Sequence, residues 1–230
     1  EIYTLSLHDA LPICQVGFLI EKEVKFLGNA VENPERPFVA VMGGAKVGDK
    51  IPVIKSLLKN VDTLIIGGGM SYTFYKAMGY ETGKSILDED SIDLAKKLMD
   101  EARSAGVPLL LPVDIVCAKE FSDGAETAVF DAEKIPPDYM GLDIGPKTIE
   151  LYGSKLKKAA TVVWNGPVGV FEMKTFEKGT EAIAEVLAES SAVTIIGGGD
   201  SAAAVEKFGL ADKIRSEEHT SELQSRQVIS

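Results

Sequence analysis

FVAVMGGAKVGDKIPVIKSLLKN, residues 38–60, decides the fold. Its first five residues, Phe38 to Met42, are an unbroken apolar run that stops at Gly43-Gly44. A strand with one wet face alternates polar and apolar side chains, whereas a strand covered on both faces reads as continuous hydrophobics, the habit of parallel sheets. From Val47 to Lys59 the period changes, with Ile51, Ile54, Leu57 and Leu58 at helical spacing. Buried strand, glycine turn and amphipathic helix together make one βα unit.

The same unit recurs further along the chain. TLII, Thr63 to Ile66, runs into Gly67-Gly68-Gly69 and a helical segment from Met70 to Met78. Asp90 or Ser91 is placed to cap a helix reaching about Arg103, closed by Gly106 and Pro108, and LLLPV, Leu109 to Val113, reads as the next strand. Asp114 to Pro146 is irregular, with short strands and long loops expected. Order returns as a helix over Lys147 to Lys158, a strand over Thr161 to Trp164, a helix over Thr175 to Ser190, a strand over Val193 to Ile196 and a helix over Ser201 to Phe208. This alternation predicts an α/β fold with a doubly wound, mostly parallel sheet in a Rossmann-like three-layer α/β/α arrangement. No Pro/Ser-rich linker interrupts it, so a single domain is expected.

Composition narrows the function classes. The 230 residues are 45% hydrophobic and 26% charged, ordinary for a domain with a sizeable core. A formal charge of −11 argues against nucleic-acid or anionic-membrane binding, which depend on a basic excess. The two histidines, His8 and His219, stand near the ends, so the stretch between offers no His triad, His base or His metal site. Cys14 and Cys117 are isolated, which suits a reducing, cytoplasmic compartment. EIYTLSLHDALPI at the start lacks the basic region of a secretory signal, and no run approaches the ~20 apolar residues of a membrane helix.

The ends themselves read as foreign. EIYTLSLHDALPI and RSEEHTSELQSRQVIS match what short-read sequencing adapters give when translated in frame. Residues 1–14 and 215–230 are therefore expected to be non-native tails, with Cys14 a hybrid junction codon, flanking a domain at 15–214. A source genome whose open reading frame continues with these same residues would contradict this.

Three strand ends carry glycine: Gly43-Gly44, Gly67-Gly68-Gly69 and Gly197-Gly198-Gly199. Glycine lets a base or phosphate approach the backbone, and a helix starting just beyond it offers free N–H groups and a positive dipole end. Any one alone could simply be a tight turn; three along the ligand-binding edge of an open α/β sheet point to a nucleotide. Neither GxxxxGK[ST] nor GxGxxG occurs. Lys46 and Lys50, four apart at the expected helix start, could clamp a transferring phosphoryl group or form a solvated face. Asp200 could hold Mg²⁺ shared with nucleotide phosphates or act as an N-cap. Asn165 could bond phosphate oxygens and Glu172 both ribose hydroxyls, or the two could be a turn residue and a surface charge.

FLGNAVENPERPFVAVMGGAKVGDKI, LIIGGGM, GLDIGP, WNGPVGVFE and TIIGGGDSAAAVEKFG together resemble the phosphoglycerate kinase family, in particular its C-terminal, nucleotide-binding domain in bacterial form, over residues 16–214. The resemblance implies phosphoryl transfer between 1,3-bisphosphoglycerate and ADP, giving 3-phosphoglycerate and ATP with Mg²⁺, in glycolysis. It implies that Gly44, Ala45, Gly68, Gly69, Gly141, Leu142, Pro167 and Val170 wall the adenosine pocket and that Glu172 binds the ribose. By the same resemblance Lys46 and Lys50 meet the phosphates and the phosphoryl group in flight, Asn165 assists, and Gly198, Gly199, Asp200 and Ser201 hold the phosphate end, with Asp200 on the metal.

A full-length member of the family, a monomer, also has an N-terminal domain whose basic patch binds 3-phosphoglycerate, and a Gly-rich helix start beyond Ile214. Neither is in this sequence, so weak Mg·nucleotide binding and no turnover are expected of the chain alone. A non-catalytic nucleotide-binding module is the alternative. A nicotinamide-dependent dehydrogenase half fits less well, lacking GxGxxG and an acidic ribose reader at the expected spacing.

Overall fold

The computed structural model describes residues 33–214, so the expected tails, with His8, Cys14 and His219, lie outside the described residues. Five strands form one all-parallel sheet: β1 (Phe38–Met42), β2 (Thr63–Ile66), β3 (Leu109–Leu110), β7 (Thr161–Asn165) and β8 (Val193–Gly197), in the order β3-β2-β1-β7-β8. Strand β1 is central, pairing Met42 with Ile66 on one side and with Asn165 on the other.

Side chains alternate along β1, and both faces are covered, which explains the unbroken apolar run. Phe38, Ala40 and Met42 pack with α1 (Ile51–Leu57), α2 (Met70–Ala77) and α3 (Ile92–Ser104) through Ile54, Phe74 and Leu98. Val39 and Val41 pack the other way with α4 (Pro146–Leu156), α5 (Lys178–Glu189) and α6 (Gly199–Lys207) through Tyr152, Leu156, Ile183 and Val205. Two apolar layers on one sheet give the three-layer fold.

The irregular segment holds a second sheet. Strands β4 (Asp114–Ala118), β5 (Thr127–Asp131) and β6 (Met140–Ile144) are antiparallel in the order β5-β4-β6, with a register shift between Val116 and Cys117. Tyr72 and Tyr75 of α2 bury against its Ile115 and Cys117.

Two buried aspartates bind this sheet to the main body. Asp114 accepts the backbone N–H groups of Lys147 (3.0 Å) and Thr148 (2.8 Å), filling the cap position of α4 from another strand. Asp143 accepts the N–H of Gly179 in the first turn of α5 at 2.7 Å. Each carboxylate meets orphan donors and the positive end of a helix.

Several boundaries differ from the sequence expectation. The strand expected over Leu109 to Val113 stops at Leu110, since Pro112 has no N–H for the ladder at this edge. Ser91 occupies the cap position of α3 but makes no side-chain cap bond, because Glu89–Ser91 form a 3-10 turn that leads into the helix. Lys46 and Lys50 do not share an α-helical face. Pro52 in the first turn sets the start of α1 at Ile51, which leaves Lys50 in a 3-10 turn and Lys46 in the preceding loop.

Candidate functional site

Strand order reverses direction between β1 and β7, and in doubly wound sheets a ligand crevice opens beyond the carboxyl ends at that point. Three strand-end loops meet there at backbone contact. The Gly44 N–H donates to Pro167 O at 3.0 Å, the Gly68 N–H to Val168 O at 3.0 Å and the Met70 N–H to Gly44 O at 2.9 Å. These distances leave no room for side chains: a Cβ on Gly43 would stand 2.1 Å from Pro167 O, and one on Gly68, whose φ is +66°, 2.8 Å from the Gly44 nitrogen.

The small sheet supplies the opposite wall. Met140, Gly141 and Leu142 of β6 face Gly44, Ala45, Gly68, Gly69, Pro167 and Val170 across a cavity of about 670 Å³. That volume suits a small-molecule ligand. Gly141 leaves space for the Tyr72 hydroxyl, which a Cβ would approach to 2.2 Å, and the Val170 N–H donates to Leu142 O at 2.8 Å, tying the two walls. Phe121 and Ile86, both more than half exposed, stand among the lining residues, as do Glu172, Met173 and Asp200.

Polar groups gather outside the apolar cavity. Lys50 Nζ donates to Asn165 Oδ1 at 2.5 Å, and Asn165 is fully buried with its Nδ2 unpartnered among the described residues. Gly198 lies alongside: a Cβ there would be 3.1 Å from Asn165 Oδ1 and 4.0 Å from Lys50 Nζ. Gly199, first residue of α6, faces open space with nothing within 4 Å of a Cβ. Gly198, at φ +82°, is the residue that precedes α6, so Asp200 is not its N-cap; the carboxylate is exposed at the positive end of the helix.

Ten of the sixteen residues singled out from the sequence line the cavity: Gly44, Ala45, Gly68, Gly69, Gly141, Leu142, Pro167, Val170, Glu172 and Asp200. Lys50, Asn165 and Gly198 cluster next to it, and Lys46 is exposed in the loop after β1. Ser201 is buried and its hydroxyl accepts the Gly166 N–H at 2.6 Å, tying α6 to the loop after β7. Tyr72, Lys84, Ile86, Phe121, Met140 and Met173 also line the cavity and went unread. Only Ile86, Phe121 and Met173 carry a sequence signal, an apolar or aromatic side chain stranded in a loop.

Burial shifts several ionisable groups near the cavity. It raises Asp143 from 3.8 to about 7 against the opposing pull of its bonds from Gly179 and Ile144, and it raises the Cys117 thiol to about 12, which makes that thiol unreactive. The Tyr72 hydroxyl is likewise raised by burial. No cluster of three or more His, Cys, Asp or Glu that could hold a metal occurs among the described residues. No helix among them is long and apolar enough to cross a membrane.

Fold and cleft define a doubly wound α/β domain with a cavity of small-molecule size at its topological switch point. The family model for phosphoglycerate kinase matches residues 4–222. The chain is 60% identical over 205 residues to a phosphoglycerate kinase of Clostridium tetani, covering 89% of this chain and 51% of that protein. It is 58% identical to the one of Clostridium novyi, covering 92% and 53%. The phosphoglycerate kinase structure from Coxiella burnetii superposes with a TM-score of 0.81 at 43% identity, covering 86% of this chain and 51% of that one. The chain therefore belongs to the phosphoglycerate kinase family, and it spans about half the length of the curated relatives it matches.

Proposed function

We propose that this chain carries the ADP/ATP site of a phosphoglycerate kinase, the domain occupying residues 15–214. The reaction is reversible phosphoryl transfer between 1,3-bisphosphoglycerate and ADP, giving 3-phosphoglycerate and ATP, in cytoplasmic glycolysis. One observation carries this reading: the apolar cavity at the switch point abuts a cluster of Lys50, buried Asn165 and the open glycines at the start of α6. An adenosine fits the first part and anionic phosphates the second.

In this reading Gly44, Ala45, Gly68, Gly69, Gly141, Leu142, Pro167 and Val170 admit the nucleoside, and Glu172 at the lip accepts from the ribose hydroxyls. Lys50, held by Asn165, and Lys46 from its exposed loop place positive charge where the phosphoryl group passes. Gly198 and Gly199 offer backbone N–H groups to the phosphate end, and Ser201 fixes the α6 start against Gly166. The attacking group is already an anionic oxygen, so no general base is needed, consistent with the absence of histidine from residues 15–214.

Mg²⁺ fits the residues present: Asp200 is a single exposed hard-oxygen donor beside the phosphate end, and Mg²⁺ commonly takes one carboxylate plus phosphates and waters. When bound it would neutralise phosphate charge. 3-Phosphoglycerate would bind to a second domain of a full-length monomer, with no nucleic acid or membrane partner.

Calorimetric titration with MgADP tests the site. We expect weak binding, lost in Lys50→Ala and Asp200→Ala, with no heat from NADH. Binding of NADH alone would favour a dehydrogenase half. A coupled assay on this chain should give no turnover, leaving it a non-catalytic nucleotide-binding module by itself; appreciable turnover would contradict that.

A further inference from the structure

The two lips of the cavity come from distant parts of the chain. Phe121 stands on the loop between β4 and β5, and Glu172 with Met173 on the connection from β7 to α5. No strand pairing joins these segments. They are joined instead by a ring of three hydrogen bonds beside the cavity. The Thr175 N–H and hydroxyl donate to Asp123 Oδ1 at 3.0 and 2.7 Å, and the Thr175 hydroxyl accepts the Gly124 N–H at 2.7 Å. The hydroxyl is thus donor to one side of the turn and acceptor from the other, a role that neither Val nor Ala can fill.

Beneath the ring, buried Phe176 packs with Leu142 and Ala118, and the partly buried Ala125, Met140, Val170 and Met173 lean on that cluster. Met140, Leu142, Val170 and Met173 also line the cavity, so the ring sits over the same apolar group that the ligand would touch. Lys50, Asn165 and α6 lie outside the ring and outside that cluster.

We infer that Asp123 and Thr175 form a clasp, two positioning residues that hold the Phe121 lip against the Met173 lip and so shape the nucleoside end of the cavity and not its phosphate end. This rests on the nucleotide reading above. Without the clasp the loop after β4 keeps its Asp-Gly turn but loses its tether to the 3-10 turn Lys174–Phe176, and the lips part. The carboxyl of Asp123 is held below its ordinary value by these same bonds from Thr175, so the acceptor is charged at neutral pH.

The partners are exposed or half-buried, so substitution there leaves the core intact. The test is calorimetry of the 230-residue chain with two probes, MgADP and adenosine. Thr175→Val should weaken both by the same factor, about fivefold, the scale of one net hydrogen bond, whereas Thr175→Ser should stay within about twofold of wild type for both. Equal affinities in wild type and Thr175→Val, loss for MgADP with adenosine unchanged, or failure of Thr175→Ser to restore binding would each overturn the clasp. A wild-type chain that binds neither probe would overturn the nucleotide reading and the clasp with it.

Discussion

Two triplets, Gly67-Gly68-Gly69 and Gly197-Gly198-Gly199, look alike in sequence and sit alike at the ends of parallel strands, yet they are glycine for different reasons. In the first, a Cβ at Gly67 would stand 2.5 Å from Val168 Cγ1, at Gly68 2.8 Å from the Gly44 nitrogen and at Gly69 2.7 Å from Ile86 Cγ2. In the second, a Cβ on Gly197 or Gly198 would press on the Asn165 side chain at 3.1 Å, and one on Gly199 meets nothing. On the Cβ side the first triplet is filled by the protein itself, while Gly68 and Gly69 also line the cavity. The second opens at Gly199, on the side where a ligand's phosphates would lie, so identical strings divide into a close-packed turn that walls the cavity and a turn with an open helix start.

Alanine substitution breaks this comparison most sharply at Gly68. Its φ of +66° strains any side chain and its neighbours are backbone atoms that cannot swing aside, so Gly68→Ala should lose about 3 kcal/mol or more in urea unfolding.

The locked region extends to Asp143, whose Oδ1 would be 2.0 Å from a Cβ on Gly169. Burial raises Asp143 from 3.8 to about 7, so across that interval the folded protein holds a proton the unfolded chain has released. The sign follows: stability at this site is greatest below about pH 4, falls as pH rises toward 7 and is level above, a change on the order of 4 kcal/mol. Melting curves across this range should show the decline in wild type and a flatter profile in Asp143→Asn.

Gly198→Ala should cost about 1 kcal/mol, the strain of positive φ without a backbone clash. Gly199→Ala should leave stability within ~0.5 kcal/mol or raise it slightly, since alanine favours a helix and the space is open. A Gly199→Ala variant as unstable as Gly68→Ala would erase the distinction between the triplets.

What the sequence disclosed follows the same physics. Strands β1 and β2 read with correct bounds because burial on both faces leaves an unbroken apolar run, and β7 and β8 extend only one residue beyond the expectation, into Asn165 and Gly197. The small sheet was legible only as short strands among loops, without bounds or pairing, for the opposite reason. Its β5 is exposed at alternate positions on an edge, and β4 and β6 carry Asp114 and Asp143, polar residues whose purpose is to cap helices that begin 32 and more residues away in the chain.

Contact across such spans leaves no local period. Phe121 and Ile86 were missed in the same way: apolar side chains in loops acquire meaning only when the fold brings them to one cavity. The helix expected from Thr175 starts at Lys178, and Thr175 lies in a 3-10 turn with its hydroxyl and N–H engaged by Asp123. By contrast the glycine edges were legible because a parallel sheet always presents its strand ends on one side.

The most direct test of the division between a packed nucleoside half and an open phosphate half is the affinity of Gly199→Ala for MgADP and for adenosine, measured side by side with wild type. If the α6 start receives the phosphates at backbone distance, MgADP binding falls by about tenfold or more while adenosine binding is unchanged. MgADP affinity equal to wild type would place the phosphates elsewhere and contradict the account.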